Sequence, residues 1–136
     1  MKNIAIKENH LYNKAYQRGK RYVGRLVAVY VLRDYAAERL AKSNPEKKQV
    51  NRLGLSASKK LGGAVVRNRA KRIIRAAYDT LKGELRVGNL IVISARGAAV
   101  GKKSTDVARE LRRAFVELGM LSAGQAEEKD DRGEAR

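Results

Sequence analysis

The segment from Gly62 to Leu81, GGAVVRNRAKRIIRAAYDTL, combines an apolar stripe with cations whose spacing suits phosphate binding. At about 100° per residue, a helix would place five apolar residues on one face: Val66, Ala70, Ile73, Ala77 and Leu81. Pointing away from that stripe are Asn68, Lys71, Arg72 and Arg75, with Arg67 and Arg69 on its two shoulders. Planar guanidinium groups match phosphate oxygens, and an asparagine amide can add a hydrogen bond to a base or ribose.

The lack of acids around this helix favours a bound anion over a merely solvated face. A solvated helix usually mixes charge signs at i, i+4 spacing, yet ten lysines and arginines and no acid lie between Glu46 and Asp79. Arg67 and Arg69, near the helix N-terminus, also oppose the helix dipole. Over the whole chain, 31 lysines and arginines face 14 acids, giving a net charge of +17. Nucleic acid is therefore the first partner to expect.

Tyrosines supply a second kind of nucleic-acid contact, since they are six of the seven aromatic residues. Tyr12 and Tyr16 share one face of a predicted helix, and Tyr30 lies in a predicted strand. Each alone is typical of a core or rim position. Together, in so basic a chain, they suggest a surface on which unpaired bases stack. Lys59 and Lys60 lie in the glycine-containing loop before the basic helix.

The residue types that would support catalysis by the polypeptide itself are missing or scattered. The chain has no cysteine, which excludes disulfides, thiolate nucleophiles and cysteine-ligated zinc. GLSAS around Ser56 lacks the closing glycine of a nucleophile elbow, and the single histidine, His10, lies in the first helix. KKLGGAVVRN lacks the ending of a P-loop. The carboxylates show no spacing typical of a metal or acid-base site, for example Glu8, Asp34, Glu38, Asp79 and Glu84.

The element pattern predicts one small α+β domain over residues 1–122. We expect a helix over 9–18, a short strand near 21–23, strands in RLVAVYVLRD and QVNRLGLSAS, the basic helix to about residue 82, a strand over 87–95 and a last helix capped by Ser104 or Thr105. Residues 34–48 are interpreted as an exposed connection, and 123–136 as an acidic, disordered tail. Because no apolar run resembles a secretory signal or a membrane span, we expect a soluble, cytoplasmic protein.

The stretch from Arg52 to Tyr78, RLGLSASKKLGGAVVRNRAKRIIRAAY, closely resembles the signature of the protein subunit of bacterial ribonuclease P. Arg67, Asn68 and Arg69 match its central RNR element. YNKAYQRGK, VAVYVL and LIVISAR are similar to the family's first helix, central strand and last strand, so the resemblance covers about residues 4–120. Two departures are Gly63, where asparagine is common, and tyrosine in the first helix, where phenylalanine is frequent.

The resemblance implies a single-domain αβββαβα sandwich, ribosomal protein S5 domain 2-like, with a left-handed βαβ crossover through the basic helix. It also implies a noncatalytic subunit of a ribonucleoprotein endoribonuclease, whose ribonuclease P RNA holds Mg²⁺ and removes the 5′ leader of precursor tRNA. The protein alone would bind no cofactor, small-molecule substrate or membrane. The implied RNA-subunit contacts are Arg67, Asn68, Arg69, Lys71, Arg72 and Arg75, and the implied leader contacts are Tyr12, Tyr16, Tyr30, Lys59 and Lys60.

Two other functions stay open at the level of sequence. A ribosomal or other structured-RNA-binding protein would share the charge but needs no leader groove, and it would not stimulate cleavage by a ribonuclease P RNA at low Mg²⁺. A self-sufficient nuclease would instead cleave RNA with Mg²⁺ and no RNA partner. The scattered carboxylates argue against this last function.

Overall fold

The computed structural model describes residues 4–6, 9–36, 39, 42 and 51–121. Within these ranges the chain forms β1 (Ile4–Ala5), α1 (Asn9–Arg18), β2 (Lys20–Val23), β3 (Val27–Arg33), β4 (Arg52–Ala57), α2 (Ala64–Asp79), β5 (Asn89–Ala95) and α3 (Ser104–Glu117). The predicted tail over 123–136 lies outside the described residues, as does most of the predicted connection over 34–48.

The strands form one mixed sheet in the order β1-β4-β5-β3-β2. β3 is antiparallel to β2 and β5, whereas β4 is parallel to β1 and β5. Parallel neighbours cannot be joined by a tight turn, so the chain must cross over between β4 and β5, and α2 forms that crossover. The αβββαβα order is therefore confirmed. The two-residue edge strand β1 is an addition that the sequence pattern did not predict.

The larger apolar core lies between one face of the sheet and the layer formed by α2 and α3. Side chains from neighbouring strands meet there in register, as Val29 does with Ile93. The fully buried members include Val29, Ile91 and Ile93 from the sheet, Ile74 and Ala77 from α2, and Leu111 and Phe115 from α3. Burial on this scale anchors α2 firmly to the sheet.

α1 covers the opposite face of the sheet, where it packs on β3 and β5. Ala15 is fully buried in a smaller cluster with Leu90 and Val92. The helix ends as predicted, because Gly19 follows it and a Cβ at this position would lie 2.6 Å from the Ala15 carbonyl oxygen. Only glycine fits this turn without displacing the backbone.

The buried stripe of α2 is rotated from the predicted one. Ile74 and Tyr78 are buried, whereas Val66 and Ile73, both predicted to face the core, are only half-buried. The Tyr78 ring accounts for the shift, because it packs edge-on against Phe115 of α3 with ring centroids 6.4 Å apart. The predicted stripe was drawn from aliphatic residues alone and so left Tyr78 out. Burial raises the pKa of Tyr78 to about 12.

Two acids of α3 bind backbone N–H groups. Asp106 accepts a hydrogen bond from the N–H of Lys103, at 3.4 Å, and Lys103 is the N-cap residue. The prediction that Ser104 or Thr105 caps this helix is therefore wrong. The cap position is Lys103, and its N–H is bound by the carboxylate of Asp106 at the third helical position. Glu110 accepts N–H groups of the β2–β3 turn, at 2.8 Å from Val27 and 2.9 Å from Leu26, and so fixes that turn against α3.

A buried ion pair joins the end of β3 to the start of β4. Arg52 Nε donates to Asp34 Oδ2 at 2.8 Å and Nη2 donates to Oδ1 at 3.0 Å, while the Ala36 N–H also donates to Oδ1. Burial alone would raise the pKa of Asp34, but the hydrogen bonds from Arg52 and Ala36 outweigh it and hold this pKa below its ordinary value of 3.8. The carboxylate is therefore charged at neutral pH.

We expect Asp34→Asn to lower the free energy of unfolding by about 3–5 kcal/mol at neutral pH, because it removes the carboxylate from a buried guanidinium. A depressed pKa stabilises the fold above the unfolded-state value, near pH 4, and this contribution is lost as pH falls through the folded-state value. Urea unfolding at a series of pH values should therefore show the difference between wild type and variant shrinking in acid. A difference that stays constant into strong acid would contradict the assignment.

Candidate nucleic-acid interface

The first candidate surface, called the α2 ridge here, consists of Arg67, Asn68, Arg69, Lys71, Arg72 and Arg75. Asn68, Arg69, Arg72 and Arg75 are exposed on the side of α2 away from the sheet. Arg67 and Lys71 are half-buried, so the prediction that Lys71 points directly away from the core is wrong. The rotation of the buried stripe toward Tyr78 moves Lys71 to the flank of the helix and brings Arg67, which was predicted to lie on the flank, closer to the core.

No carboxylate neutralises the α2 ridge within the ranges that the structure describes. The ion pairs found there join Arg52 to Asp34, Lys82 to Asp79, Arg109 to Asp106 and Arg112 to Glu84. Moreover, Arg67 Nε is buried without a hydrogen-bond partner. A buried donor left unpaired costs about 1–3 kcal/mol, and closely spaced like charges repel one another. An anionic ligand with oxygen acceptors would relieve both.

The loop before α2 leaves the helix N-terminus open. Lys59 and Lys60 are exposed in a 3-10 turn, Lys59–Leu61, directly after β4. Gly62 has φ 139°, which favours glycine, and a Cβ there would lie 3.2 Å from Val66 Cβ. Gly63 is the N-cap residue and makes no side-chain cap. The departure at Gly63 therefore removes the cap that an asparagine would provide there.

The second candidate surface is the tyrosine cluster, formed by Tyr12, Tyr16 and Tyr30. The Tyr16 and Tyr30 rings meet edge-on, with centroids 4.8 Å apart and planes at 85°. Tyr12 lies over Gly54 of β4, where a Cβ would come within 2.7 Å of its ring. Burial raises the pKa of Tyr12, and the nearby Tyr16 contributes to the shift. All three rings are partly exposed, so the structure brings them together without hiding them.

Two serine hydroxyls lie on the face of the sheet that carries the tyrosine cluster. Ser56 is paired with Ser94 in the β4–β5 register, and their Oγ atoms lie 3.1 Å apart. They share a face with Gly54, so they can offer hydrogen bonds to a ribose or phosphate next to the rings. The Ser56 hydroxyl thus contacts another hydroxyl and not a histidine. His10, the single histidine of the chain, lines a different cavity beside α1. Ser94 was missed from sequence because its role depends on strand register.

The two surfaces lie on opposite faces of the sheet, with α2 on one and α1 on the other. Lys59 and Lys60 occupy the connection through which the chain passes from β4 to α2. Among the described residues, no group of three histidines, aspartates or glutamates could hold a metal ion. The helices in those ranges are also too short or too polar to cross a membrane.

Comparison with known proteins identifies relatives over almost the whole chain. The family model Ribonuclease P matches residues 1–119. The ribonuclease P protein component of Clostridium acetobutylicum is 34% identical over 121 residues, which are 89% of this chain and 93% of that protein. The corresponding protein of Bacillus cereus is 36% identical over 119 residues, 88% of this chain and 94% of its own. A solved structure of the Staphylococcus aureus RNase P protein has a TM-score of 0.70 at 26% identity, covering 89% of this chain and 100% of that chain.

We expect Gly63→Asn to raise the free energy of unfolding by about 0.5–1 kcal/mol, because the amide can cap α2 and the unfolded chain loses freedom. A Cβ at this position meets no atom within 4 Å, so no clash opposes the gain. Gly62→Ala is the matched control and should destabilise the protein, because its φ is unfavourable for alanine. Urea unfolding of both variants tests the pair. A neutral or destabilising Gly63→Asn would contradict the capping argument.

Proposed function

The chain belongs to the ribonuclease P protein family, and from that premise we propose that its two surfaces bind two different forms of RNA. Members of this family serve a ribonucleoprotein endoribonuclease that matures the 5′ end of tRNA, and this chain has that role. In the proposal, the α2 ridge binds the ribonuclease P RNA, and the tyrosine cluster binds the single-stranded 5′ leader of precursor tRNA. The observation that carries it is the separation of unpaired cations and clustered rings onto opposite faces of one sheet.

The α2 ridge suits structured RNA because its charges are fixed in space. Ile74 and Ala77, at the centre of the buried face of α2, have no exposed surface and hold the helix in one orientation. Arg69, Arg72 and Arg75 then present guanidinium groups at defined spacing for a folded phosphate backbone. The unpaired Nε of Arg67 is a donor that a phosphate or ribose oxygen would satisfy.

The tyrosine cluster suits a single strand because unpaired bases expose their faces. The perpendicular Tyr16 and Tyr30 rings lie on the same face of the sheet as the hydroxyls of Ser56 and Ser94. A base stacked there gains about 1–3 kcal/mol with little sequence preference. Lys59 and Lys60 supply charge for the leader backbone at the end of β4. Mature tRNA lacks the leader, so these contacts would favour the precursor over the product.

The ribonuclease P RNA, not the protein, is the proposed holder of the catalytic Mg²⁺. The contribution of the chain is binding: it neutralises phosphate and positions the leader. Charge neutralisation also lowers the repulsion that Mg²⁺ must otherwise overcome when RNA segments approach one another. No step of the cleavage is assigned to a protein side chain.

Replacing both Arg67 and Arg69 with alanine should weaken binding of the ribonuclease P RNA and flatten its salt dependence by roughly 0.7–0.9 log unit for each phosphate that the variant no longer neutralises. The measurement is the protein–RNA dissociation constant across a range of salt concentrations, with circular dichroism to verify folding. Arg25→Ala with Lys102→Ala removes the same charge from two exposed positions outside the ridge and should change the slope less. An unchanged slope in the ridge variant would refute the assignment.

Tyr16→Ala should weaken holoenzyme binding of precursor tRNA by about 5- to 100-fold, the effect of removing one stacked base. Binding of mature tRNA should be nearly unchanged, because the product has no leader to stack. Tyr16→Phe keeps the ring and should retain most of the affinity. Equal losses for precursor and mature tRNA would mean that Tyr16 acts through the fold and not through the leader.

A further inference from the structure

A third candidate surface, which is basic, lies on the side of α1 away from the tyrosine cluster. It is a cavity of about 320 Å³ whose lining includes His10, Lys14, Arg33, Tyr35 and Arg39. We call it the Tyr35 pocket. On α1, Tyr12 and Tyr16 occupy one flank and His10 and Lys14 the other, while Ala15 between them faces the sheet. The helix therefore separates the Tyr35 pocket from the tyrosine cluster.

Tyr35 is exposed to an extent that packing does not explain. Its relative exposure is 79%, so its ring removes little apolar area from water. Two cations lie over the ring, with Lys14 Nζ at 5.5 Å and Arg33 Cζ at 5.9 Å from its centroid. These distances are near the outer limit of a cation–π contact. The ring is thus held among cations but remains accessible to a flat ligand.

The cations of the Tyr35 pocket outnumber its carboxylates among the described residues. Asp34 is the acid in the described lining, and its oxygens accept hydrogen bonds from Arg52 and from the Ala36 N–H. Its negative charge is therefore balanced mainly by the Arg52 guanidinium. Arg39 still interacts electrostatically with Asp34, whereas Lys14 and Arg33 face the cavity with no ion-pair partner in that part of the chain. An aromatic face beside uncompensated cations is the combination that binds single-stranded nucleic acid.

We propose that the Tyr35 pocket binds an unpaired nucleotide of RNA, with the base stacked on Tyr35 and a phosphate near Lys14 and Arg33. This rests on the proposed function only in that the partner is RNA, because the pocket uses no residue of the α2 ridge or the tyrosine cluster. The nucleotide has two possible sources with the same chemistry. One is a leader nucleotide beyond those on the tyrosine cluster, and the other is an unpaired segment of the ribonuclease P RNA.

The test compares Tyr35→Ala, Tyr35→Phe and Arg33→Gln in two binding assays. One measures protein affinity for the ribonuclease P RNA. The other measures holoenzyme affinity for precursor tRNA with a short or a long leader. Arg25→Gln is the matched control, since Arg25 is an exposed arginine at the opposite end of β3. Tyr35→Ala should cost about 5- to 100-fold in one assay, and Tyr35→Phe should restore most of it.

The pattern of affinity changes identifies the source. A weakening confined to the long leader assigns the nucleotide to the leader, and a weakening of RNA-subunit binding assigns it to the ribonuclease P RNA. Unchanged affinities in both assays, with folding intact, would overturn the proposal, as would a phenylalanine variant as weak as the alanine variant or an equal effect of Arg25→Gln. Tyr16→Ala is measured in parallel: if it weakens precursor binding while Tyr35→Ala changes neither affinity, only the Tyr35 pocket is refuted.

Discussion

The parallel pairing of β4 with β5 determines where both candidate surfaces lie. Adjacent parallel strands need a crossover, so the residues between them must leave the sheet, form α2 and return over one face. The same pairing sets Ser56 beside Ser94 and leaves Gly54 open for the Tyr12 ring. A slip of one residue would turn these groups to the other face. Strand register therefore positions the Ser56 and Ser94 hydroxyls, the tyrosine cluster and the start of α2 relative to one another.

Burial, not charge pairing, supports the α2 ridge. An isolated helix with this many like charges and no capping side chain would be weak, since helices in proteins gain most of their stability from tertiary packing. Ile74, Ala77 and Tyr78 provide that packing against the sheet and α3. The helix therefore does not depend on ion pairs between these cations and acids for its stability. Their mutual repulsion would be relieved by a bound phosphate backbone.

The sequence predicts the elements well and their mutual orientation less well. The helix over 9–18 is confirmed because its periodicity and the following glycine act locally. The rotation of α2 was missed because it depends on how the Tyr78 ring packs against Phe115, a contact between distant segments. The N-cap at Lys103 was missed because a short-range rule favoured a hydroxyl residue. Tyr35 gave no periodic signal at all, and only the fold brings it to Lys14 on α1.

Two chemically different surfaces explain why a basic patch alone would not account for this chain. A general structured-RNA-binding protein needs only fixed charges, and family membership together with the tyrosine cluster argues against that alternative. A nuclease needs a nucleophile with a base, whereas the Ser56 hydroxyl contacts Ser94 and His10 lines a cavity across α1. Folded RNA presents phosphates at fixed spacing, which a rigid helix matches, and a single strand presents base faces, which rings match. Because the two surfaces lie on opposite faces of one sheet, the proposed contacts with folded RNA and with a single strand do not compete for the same side chains.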